Sequence, residues 1–253
     1  MAVLDRILEA AQLGPGDTVI EVGPGLGVLT RALAERAGRV IAVEVDRGLA
    51  GKLRQALPRA EVVEGDILSL TPLQLLGRAT PYKVVANIPY YITSPILRHF
   101  LEAELKPRLM VVMVQREVGE AIVAGPGHMS LLAASVQFYS QPELVATVSA
   151  SSFYPPPQVE SALLRLEVYE HPPVAVQDPA AFFNLVGAGF TAPRKQLHNS
   201  LARGLGIAPE EAVRLLQAAG IDPSRRAQTL SLEEWAGLYR TLVDAETKGA
   251  GQN

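Results

Sequence analysis

Four consecutive residues, Asn87-Ile88-Pro89-Tyr90, combine groups that suit a flat substrate carrying an amino group. They follow the apolar run Val84–Ala86, which predicts a buried strand that ends at a polar amide. The proline restricts its own φ and keeps the preceding residue out of helical geometry, so the turn is stiff. The Asn87 side-chain oxygen and the Ile88 carbonyl could accept the hydrogens of an exocyclic amine on a nucleobase, while Tyr90 stacks on the ring. Taken alone, the tetrapeptide fits a strand-ending turn with a capping asparagine equally well.

Three earlier segments carry groups that could hold a nucleotide-like cofactor. Gly23-Pro24-Gly25-Leu26-Gly27 joins a predicted strand to a predicted helix, which permits close backbone approach to a ligand. The segment lacks the third glycine of G-x-G-x-x-G, because Val28 stands there, and it lacks the Gly-Lys-Ser/Thr of a phosphate loop. Glu44, followed by Val45, ends the second strand about 20 residues later, where an acid accepts hydrogen bonds from ribose hydroxyls.

Asp66 ends the third predicted strand, and Ile67 follows it. A carboxylate in this place could accept an amino hydrogen of an adenine, and Ile67 could donate its backbone N–H to the ring. Such a carboxylate is less expected in a hydride-transfer enzyme. Asp66 alone is compatible with an ordinary strand-ending acid.

The periodicity of the chain predicts the elements that must position these groups. Strands alternate with helices as far as Val114, the pattern of βαβ units and a parallel, doubly wound sheet. In such sheets ligands bind beyond the carboxyl ends of the strands, so the glycines and strand-end polar residues are expected at one edge. Glu143–Ala150 and Ser161–Tyr169 alternate as strands and predict a closing hairpin on the sheet edge.

Helical spacing and capping chemistry predict the helices. Apolar residues recur at helical intervals over Val3–Ala11 and Leu26–Arg36. Ser94 followed by Pro95 predicts the N-cap of a helix that runs through Leu105. From Asp178 onward the pattern is helical throughout, interrupted by glycine and proline.

Composition narrows the class of protein. Hydrophobic residues make up 48% of the 253 residues and charged residues 19%, which indicates a folded core rather than a disordered chain. The chain has no cysteine and four scattered histidines, so disulfides, thiolate zinc sites and a His-rich metal centre are not expected. It has no transmembrane-length apolar run and no secretory signal, so the cytosol is expected by elimination. The net charge of −3 argues mildly against a general nucleic-acid coat protein but leaves room for a local basic face.

The glycine turn, the two strand-end acids and the Asn-x-Pro-Tyr turn together resemble the class I S-adenosylmethionine-dependent methyltransferases of the adenine-N6 type. Two later segments, Phe153–Ser161 (FYPPPQVES) and Arg194–Leu201 (RKQLHNSL), narrow the resemblance to the bacterial small-subunit rRNA adenine-N6,N6-dimethyltransferases, the KsgA family. The resemblance covers the chain from about Leu4 to Leu242. It implies a Rossmann-like α/β fold with a seven-stranded, mostly parallel sheet and a small all-helical C-terminal domain. The methyltransferase domain is then expected over residues 1–170 and the helical, rRNA-binding domain over 171–253.

The resemblance also implies an activity. Family members dimethylate the N6 amines of two adjacent adenosines in a hairpin near the 3′ end of 16S rRNA, on an immature 30S subunit. We expect a monomeric cytoplasmic enzyme that uses S-adenosylmethionine as the methyl donor, needs no metal and contacts no membrane. The residues expected to hold the donor are Gly23, Gly25, Glu44, Val45, Asp66, Ile67 and Asn87. The residues expected to act on the target adenosine are Asn87, Ile88, Pro89, Tyr90 and Phe153, with Tyr90 and Phe153 on either side of the base.

Basic residues in the helical region are the candidates for contacts with the RNA backbone. They are Arg194, Lys195, Arg203, Arg225 and Arg226. Acidic residues nearly balance the charge of this region, so a solvated surface is the competing interpretation.

One feature departs from the family pattern. Members of the KsgA family usually carry an N-terminal arm with a Gln-x-Phe-Leu-like segment that helps to close the cofactor pocket. This chain starts at its first predicted helix without that segment, so closure over the donor is expected to differ.

Three alternatives stay open. The sister group of enzymes methylates a 23S rRNA adenine and confers macrolide resistance; Pro193-Arg194-Lys195 favours the small-subunit group instead. A non-catalytic RNA-binding assembly factor on the same fold is disfavoured by the intact Asn87–Tyr90 segment. An NAD-dependent dehydrogenase is disfavoured by Asp66, Asn87 and the missing G-x-G-x-x-G.

Overall fold

The computed structural model of the protein describes residues 3–153 and 156–250. Among these residues the strands are β1 Thr18–Val22, β2 Arg39–Glu44, β3 Glu61–Glu64, β4 Lys83–Asn87, β5 Leu109–Gln115, β6 Ser140–Val148 and β7 Ser161–Val168. The α-helices are α1 Val3–Ala11, α2 Val28–Ala34, α3 Arg47–Ala56, α4 Pro72–Leu76, α5 Thr93–Leu101, α6 Arg116–Val123, α7 Leu131–Tyr139, α8 Pro179–Gly189, α9 Leu197–Leu205, α10 Pro209–Ala218 and α11 Leu232–Ala250. Short 3₁₀ helices span Ile67–Ser69, Tyr90–Ile92, Ala150–Ser152 and Ala227–Thr229.

The strands form one seven-stranded sheet in the order β3-β2-β1-β4-β5-β7-β6. The first five strands are parallel, whereas β7 pairs antiparallel with both β5 and β6. The seven-stranded, mostly parallel sheet and its closing hairpin are therefore confirmed. All five parallel strands end at one edge, and β7 begins at that edge because it runs in the opposite direction.

The sequence of the central strands explains their position. The run from Leu109 to Val114 is buried throughout, as expected for a strand covered on both faces. Strand β1 is also buried from Val19 to Val22, and this stretch includes the acid Glu21, which is 1% exposed. A carboxyl group in such a place needs a specific environment, because burial disfavours its charged form.

Two predicted helices differ from those observed. Helix α2 begins at Val28 instead of Leu26, because the Gly27 amide donates to the Pro24 carbonyl at 2.9 Å and closes a turn before the helix. Helix α5 begins at Thr93 and ends at Leu101, so Ser94 lies in its first turn and is not the N-cap. The 3₁₀ turn that follows β4 runs directly into α5, and this continuity removes the need for a serine cap.

The described chain groups into two compact units. The first comprises the described parts of 1–120 and 139–170, and the second those of 121–138 and 171–253. The expected boundary after residue 170 coincides with the last change of unit, but segment 121–138, expected in the first domain, groups with the second. Backbone contacts explain this: the amides of Gly127 and Met129 donate to the Gln228 carbonyl at 2.8 and 3.1 Å. The Gln228 side chain in turn donates to the Gly127 carbonyl at 2.9 Å.

None of the helices in the part of the chain that the structure describes is long and apolar enough to cross a membrane.

Candidate active site and RNA-binding surface

The glycine turn after β1 lies open at the carboxyl edge of the sheet. Gly23 has a φ of +66° and Gly25 a φ of +57°, values that L side chains rarely adopt. A Cβ atom at either position would have no heavy atom within 4 Å, so the space beside both residues is open to a ligand. The turn therefore presents bare backbone to whatever binds at this edge.

Glu44, the last residue of β2, holds the glycine turn through a hydrogen bond. Its Oε2 accepts a hydrogen bond from the Gly25 amide at 3.1 Å, and its Oε1 accepts one from the Asp46 amide at 3.0 Å. The residue is 6% exposed. Each carboxylate oxygen has a second lone pair, so Glu44 can also accept from the hydroxyls of a ligand. Val45, the next residue, exposes 73% of its surface at the same edge.

Asp66 and Ile67 follow β3 and have different environments. The Asp66 side chain is exposed, and its Oδ1 caps the following 3₁₀ helix by accepting from the Leu68 amide at 3.0 Å. Its other oxygen stays available for a donor. Ile67 is 4% exposed and belongs to the buried hydrophobic core.

Backbone hydrogen bonds join these strand ends. The Gly23 amide donates to the Val43 carbonyl at 3.0 Å, and the Gly65 amide donates to the Glu44 carbonyl at 2.9 Å. The ends of β1, β2 and β3 therefore form one continuous rim. Strand β4 belongs to the same rim, because Ala86 pairs with Val22, the residue that precedes the glycine turn.

The Asn87–Tyr90 segment stands at the end of β4. Asn87 is exposed, whereas Ile88 is 1% exposed as a whole residue and anchors the turn in the core. The Ile88 amide donates to the Met113 carbonyl of β5 at 3.1 Å. Pro89 and Tyr90 are half-buried, and the Tyr90 hydroxyl lies 2.7 Å from the Ser161 hydroxyl.

Phe153 closes the 3₁₀ turn after β6. Its amide donates to the Ala150 carbonyl at 3.2 Å, and its half-buried ring packs against a core cluster that includes Val148 and Leu163. Tyr154 and Pro155, which belong to the FYPPPQVES motif, lie outside the described residues. The turn is in the same compact unit as the donor and acceptor residues.

Sequence reasoning missed two residues of this region. Glu21 lies in β1 with its Oε2 unpartnered among the described residues. Burial raises the pKa of Glu21 to about 7, and the nearby charge of Glu44 adds to the rise. A lone acid inside an otherwise apolar strand, two residues before the glycines, was the available signal. Ser161 was missed because only the folded chain brings its hydroxyl to Tyr90.

Among residues 3–153 and 156–250, no cluster of three or more His, Cys, Asp or Glu side chains could hold a metal ion.

The basic residues of the second unit divide into two groups. Arg194, Lys195, Arg203 and Arg226 are exposed. Arg225 is half-buried, and its guanidinium donates to both carboxylate oxygens of Glu234 and, at 2.6 Å, to the Thr229 carbonyl. These bonds hold the 3₁₀ turn before α11 against the helix, which is a structural task.

Two tertiary contacts bring part of the exposed group together. The Leu197 amide, at the start of α9, donates to the Arg225 carbonyl at 2.6 Å, so the segment before α9 lies beside Arg226. The buried Ser200 hydroxyl donates to the Ala192 carbonyl at 3.0 Å and holds that segment in place. Arg203 lies further along α9, in its last turn.

Comparison with known proteins places this geometry in a family. The family model described as "Ribosomal RNA adenine dimethylase" matches residues 1–244. The chain is 53% identical to the ribosomal RNA small subunit methyltransferase A of Dehalococcoides mccartyi over 239 residues, which are 93% of this chain and 82% of the relative.

Solved structures agree with this assignment. The crystal structure of the 23S rRNA methyltransferase ErmE is 31% identical with a TM-score of 0.72, over 95% of this chain and 96% of that one. The fold is shared with a dimethyladenosine transferase from Plasmodium falciparum, which has a TM-score of 0.79 at 24% identity over 98% of this chain and 96% of that one. The chain therefore belongs to the ribosomal RNA adenine dimethylase family.

Proposed function

We propose that the protein transfers methyl groups from S-adenosylmethionine to the N6 amines of adenosines in the small-subunit rRNA. The finer proposal is that it dimethylates two adjacent adenosines in the hairpin near the 3′ end of 16S rRNA, on an immature 30S subunit. The observation that carries it is the shared rim: an open glycine turn fixed by Glu44 stands beside an Asn-Ile-Pro-Tyr turn on the adjacent strand. Membership of the ribosomal RNA adenine dimethylase family supports the coarser part of this proposal, methylation of rRNA adenines.

The rim fits S-adenosylmethionine in three respects. The glycines leave a cradle that a Cβ atom would fill, Glu44 keeps lone pairs for ribose hydroxyls, and Asp66 keeps one oxygen for the adenine amine. The unpartnered Glu21 Oε2 beneath the glycine turn is a further acceptor. When bound, this donor supplies an electrophilic sulfonium methyl. The chain's own contribution on this side is to hold and orient it, with Gly23, Gly25, Glu44, Val45, Asp66, Ile67 and Asn87 as the proposed contacts.

The acceptor side works by positioning. The N6 amine of adenosine is a poor nucleophile, because its lone pair is delocalised into the ring. The Asn87 side-chain oxygen and the Ile88 carbonyl accept its two hydrogens, so that the lone pair is directed toward the methyl group. Orientation of this kind can supply much of a rate enhancement. Neither an acid nor a histidine lies in the Asn87–Tyr90 segment, so the proton leaves after methyl transfer to water or through these acceptors.

Two aromatic rings hold the base. Tyr90 and Phe153 stack on its faces, and such contacts are worth about 1–3 kcal/mol per base. Stacking is needed because the target base has left its own stack, which costs a few kcal/mol. Pro89 keeps the turn between the acceptors and Tyr90 stiff.

The helical unit is the proposed rRNA-binding part. Arg194, Lys195, Arg203 and Arg226 are exposed and can pair with phosphates, whereas Arg225 is already committed to Glu234. Neutralising phosphates releases counterions, so affinity for the particle should fall steeply with salt. Reversing Arg194 and Lys195 to glutamate should weaken binding to 30S subunits and flatten its salt dependence. Unchanged binding and slope would remove these two residues from the interface.

A 23S rRNA adenine methyltransferase is the second candidate, because ErmE is 31% identical over nearly the whole chain. The higher identity to a small-subunit relative, 53%, favours 16S rRNA. A ribosomal substrate also leads us to propose a cytoplasmic location. We further propose that the protein acts on the 30S subunit as a monomer.

One assay tests the function. Radiolabelled S-adenosylmethionine is incubated with the protein and undermethylated 30S or 50S subunits, and the labelled nucleosides are then analysed. We expect label in 16S rRNA as N6,N6-dimethyladenosine. Label in 23S rRNA would establish the second candidate, and absence of label from both subunits would leave a binding factor without methyltransferase activity.

A further inference from the structure

Ser161 connects two motifs that are far apart in the chain. Its hydroxyl lies 2.7 Å from the Tyr90 hydroxyl across 71 residues of sequence. Ser161 itself is fully buried, and Tyr90 is half-buried. A short hydrogen bond between a buried serine and an aromatic ring at the acceptor turn fixes where that ring stands.

The sheet explains why these two side chains meet. Strands β4 and β5 end at the rim, and β7 begins there because it is antiparallel to β5. Ser161, the first residue of β7, pairs with Gln115, the last residue of β5. The Arg116 amide donates to the Glu160 carbonyl at 3.0 Å and prolongs this pairing. Tyr90 reaches the start of β7 across the end of β5.

Tyr90 is held at both of its ends. On the backbone side, the Thr93 hydroxyl donates to the Tyr90 carbonyl at 3.2 Å, and the Ile92 amide donates to the Pro89 carbonyl at 3.0 Å. On the ring side, Ser161 fixes the hydroxyl. Because the hydroxyl lies on the axis of the ring, this bond selects one χ1 rotamer and the direction in which the ring extends.

We propose that Ser161 is a positioning residue for methyl transfer, which holds the Tyr90 ring where the target base stacks. The inference rests on the proposed function and assigns Ser161 no contact with the base. Without the serine hydroxyl the tyrosine hydroxyl turns toward water, and the ring samples other rotamers. The base then occupies its productive position for a smaller fraction of the time, so transfer slows while the donor still binds.

A double-mutant cycle tests this. Ser161→Ala, Tyr90→Phe and the double variant are compared in methyl transfer to 30S particles, with the dissociation constant of S-adenosylmethionine measured alongside. Small displacements near reacting groups can cost up to about 100-fold, and we expect roughly a tenfold loss of kcat/KM for each single variant. The double variant should be no slower than either single variant, because each removes the same bond. Donor affinity should not change.

Two sets of controls separate positioning from folding. Ser161→Thr and Ser161→Val have nearly the same shape and differ in the hydroxyl, so Thr should keep far more activity than Val. Ser140→Ala removes another fully buried serine, at the start of β6, and should leave kcat/KM unchanged.

Several outcomes would overturn the proposal. They are wild-type kcat/KM for Ser161→Ala, equal activity of the Thr and Val variants, or losses that multiply in the double variant. The wild-type protein serves as the reference in every case. If it labels no rRNA, the proposed function fails; if it labels 16S rRNA and Ser161→Ala does so equally well, only the positioning role fails.

Discussion

The Glu44 carboxylate accepts a hydrogen bond from the Gly25 amide at 3.1 Å, and this contact joins the end of β2 to the turn after β1. A charged acceptor makes such a bond stronger than one between neutral groups. The same carboxylate is proposed to hold the donor's ribose. Binding of the donor and order of the glycine turn are therefore coupled through one side chain.

The first prediction concerns this coupling. In Glu44→Gln one oxygen becomes an amide nitrogen that faces a backbone N–H, so one hydrogen bond is lost and two donors oppose each other. Hydrogen bonds to charged groups are worth about 1.5–3 kcal/mol, so we expect S-adenosylmethionine affinity to fall about 10- to 100-fold. Isothermal titration calorimetry with the donor or with S-adenosylhomocysteine measures it.

The strand next to β2 offers a matched control. Glu64 ends β3 and pairs in register with Glu44, but its side chain is 40% exposed and contacts Arg47 and Arg54 only at 4.0 and 3.8 Å. Glu64→Gln should leave donor affinity near that of the wild type. Equal losses in the two variants would show that affinity responds to rim charge in general and not to the Glu44 contacts.

The second prediction separates the acceptor from the donor. Asn87→Ala removes an exposed amide at the end of β4, so the fold should persist. Donor affinity should fall far less than turnover, because the six other proposed donor contacts remain. Turnover on 30S particles should fall about 100-fold, because the amine loses one of its two orienting acceptors. Asn184→Ala, an exposed asparagine on α8, is the control and should remain fully active. Wild-type turnover of Asn87→Ala would refute the acceptor role.

The third prediction follows from the buried acid Glu21, whose pKa rises from 4.5 to about 7 on folding. The folded state binds this proton more tightly than the unfolded state. The associated stability is therefore fully present below pH 4.5 and is lost as the pH rises to about 7. At about pH 8 the free energy of unfolding is lower by about 3 kcal/mol for this reason, because each unit of pKa difference corresponds to 1.36 kcal/mol.

Glu21→Gln imitates the protonated carboxyl and tests this directly. In urea denaturation of the cofactor-free protein, the variant should exceed the wild type by up to about 3 kcal/mol near pH 8 and by little near pH 4. A difference that stays constant over this pH range would exclude a proton taken up by Glu21.

The fourth prediction uses two neighbouring arginines with different surroundings. Arg225→Gln breaks the pair with Glu234 and removes a donor from the Thr229 carbonyl, so the free energy of unfolding should fall. Both side chains of the pair are about one-third exposed, so we expect a modest cost of about 1 kcal/mol. Arg226→Gln, at an exposed position, should leave the free energy of unfolding unchanged.

For binding to 30S subunits we expect the opposite result: the Arg226 variant should have the larger effect. Arg226→Gln should weaken binding and lower the salt slope by about one, the value of a single phosphate contact. Arg225→Gln should leave the slope unchanged. The opposite pattern in titrations at several salt concentrations would assign the RNA contact to Arg225.

Local signals account for the parts of the fold that were predicted well. The bounds of α1 were predicted to the residue, because helical spacing of apolar residues is a local property. The parallel order of the early strands follows from their alternation with helices, and it brings the strand-end residues Glu44, Asp66 and Asn87 to one rim. The α5 cap was wrong, because the preceding 3₁₀ turn competes with the serine signal.

The sequence by itself determined the residue types at the rim and the strands that carry them, since both depend on neighbours in the chain. Only the tertiary structure decided which partner each polar side chain finds. It paired Arg225 with Glu234, buried Glu21 beside Glu44, and brought Ser161 to Tyr90. It also grouped segment 121–138 with the helical unit, through Gln228. These outcomes depend on distances between residues far apart in the chain, and on the desolvation that packing imposes, which no local pattern encodes.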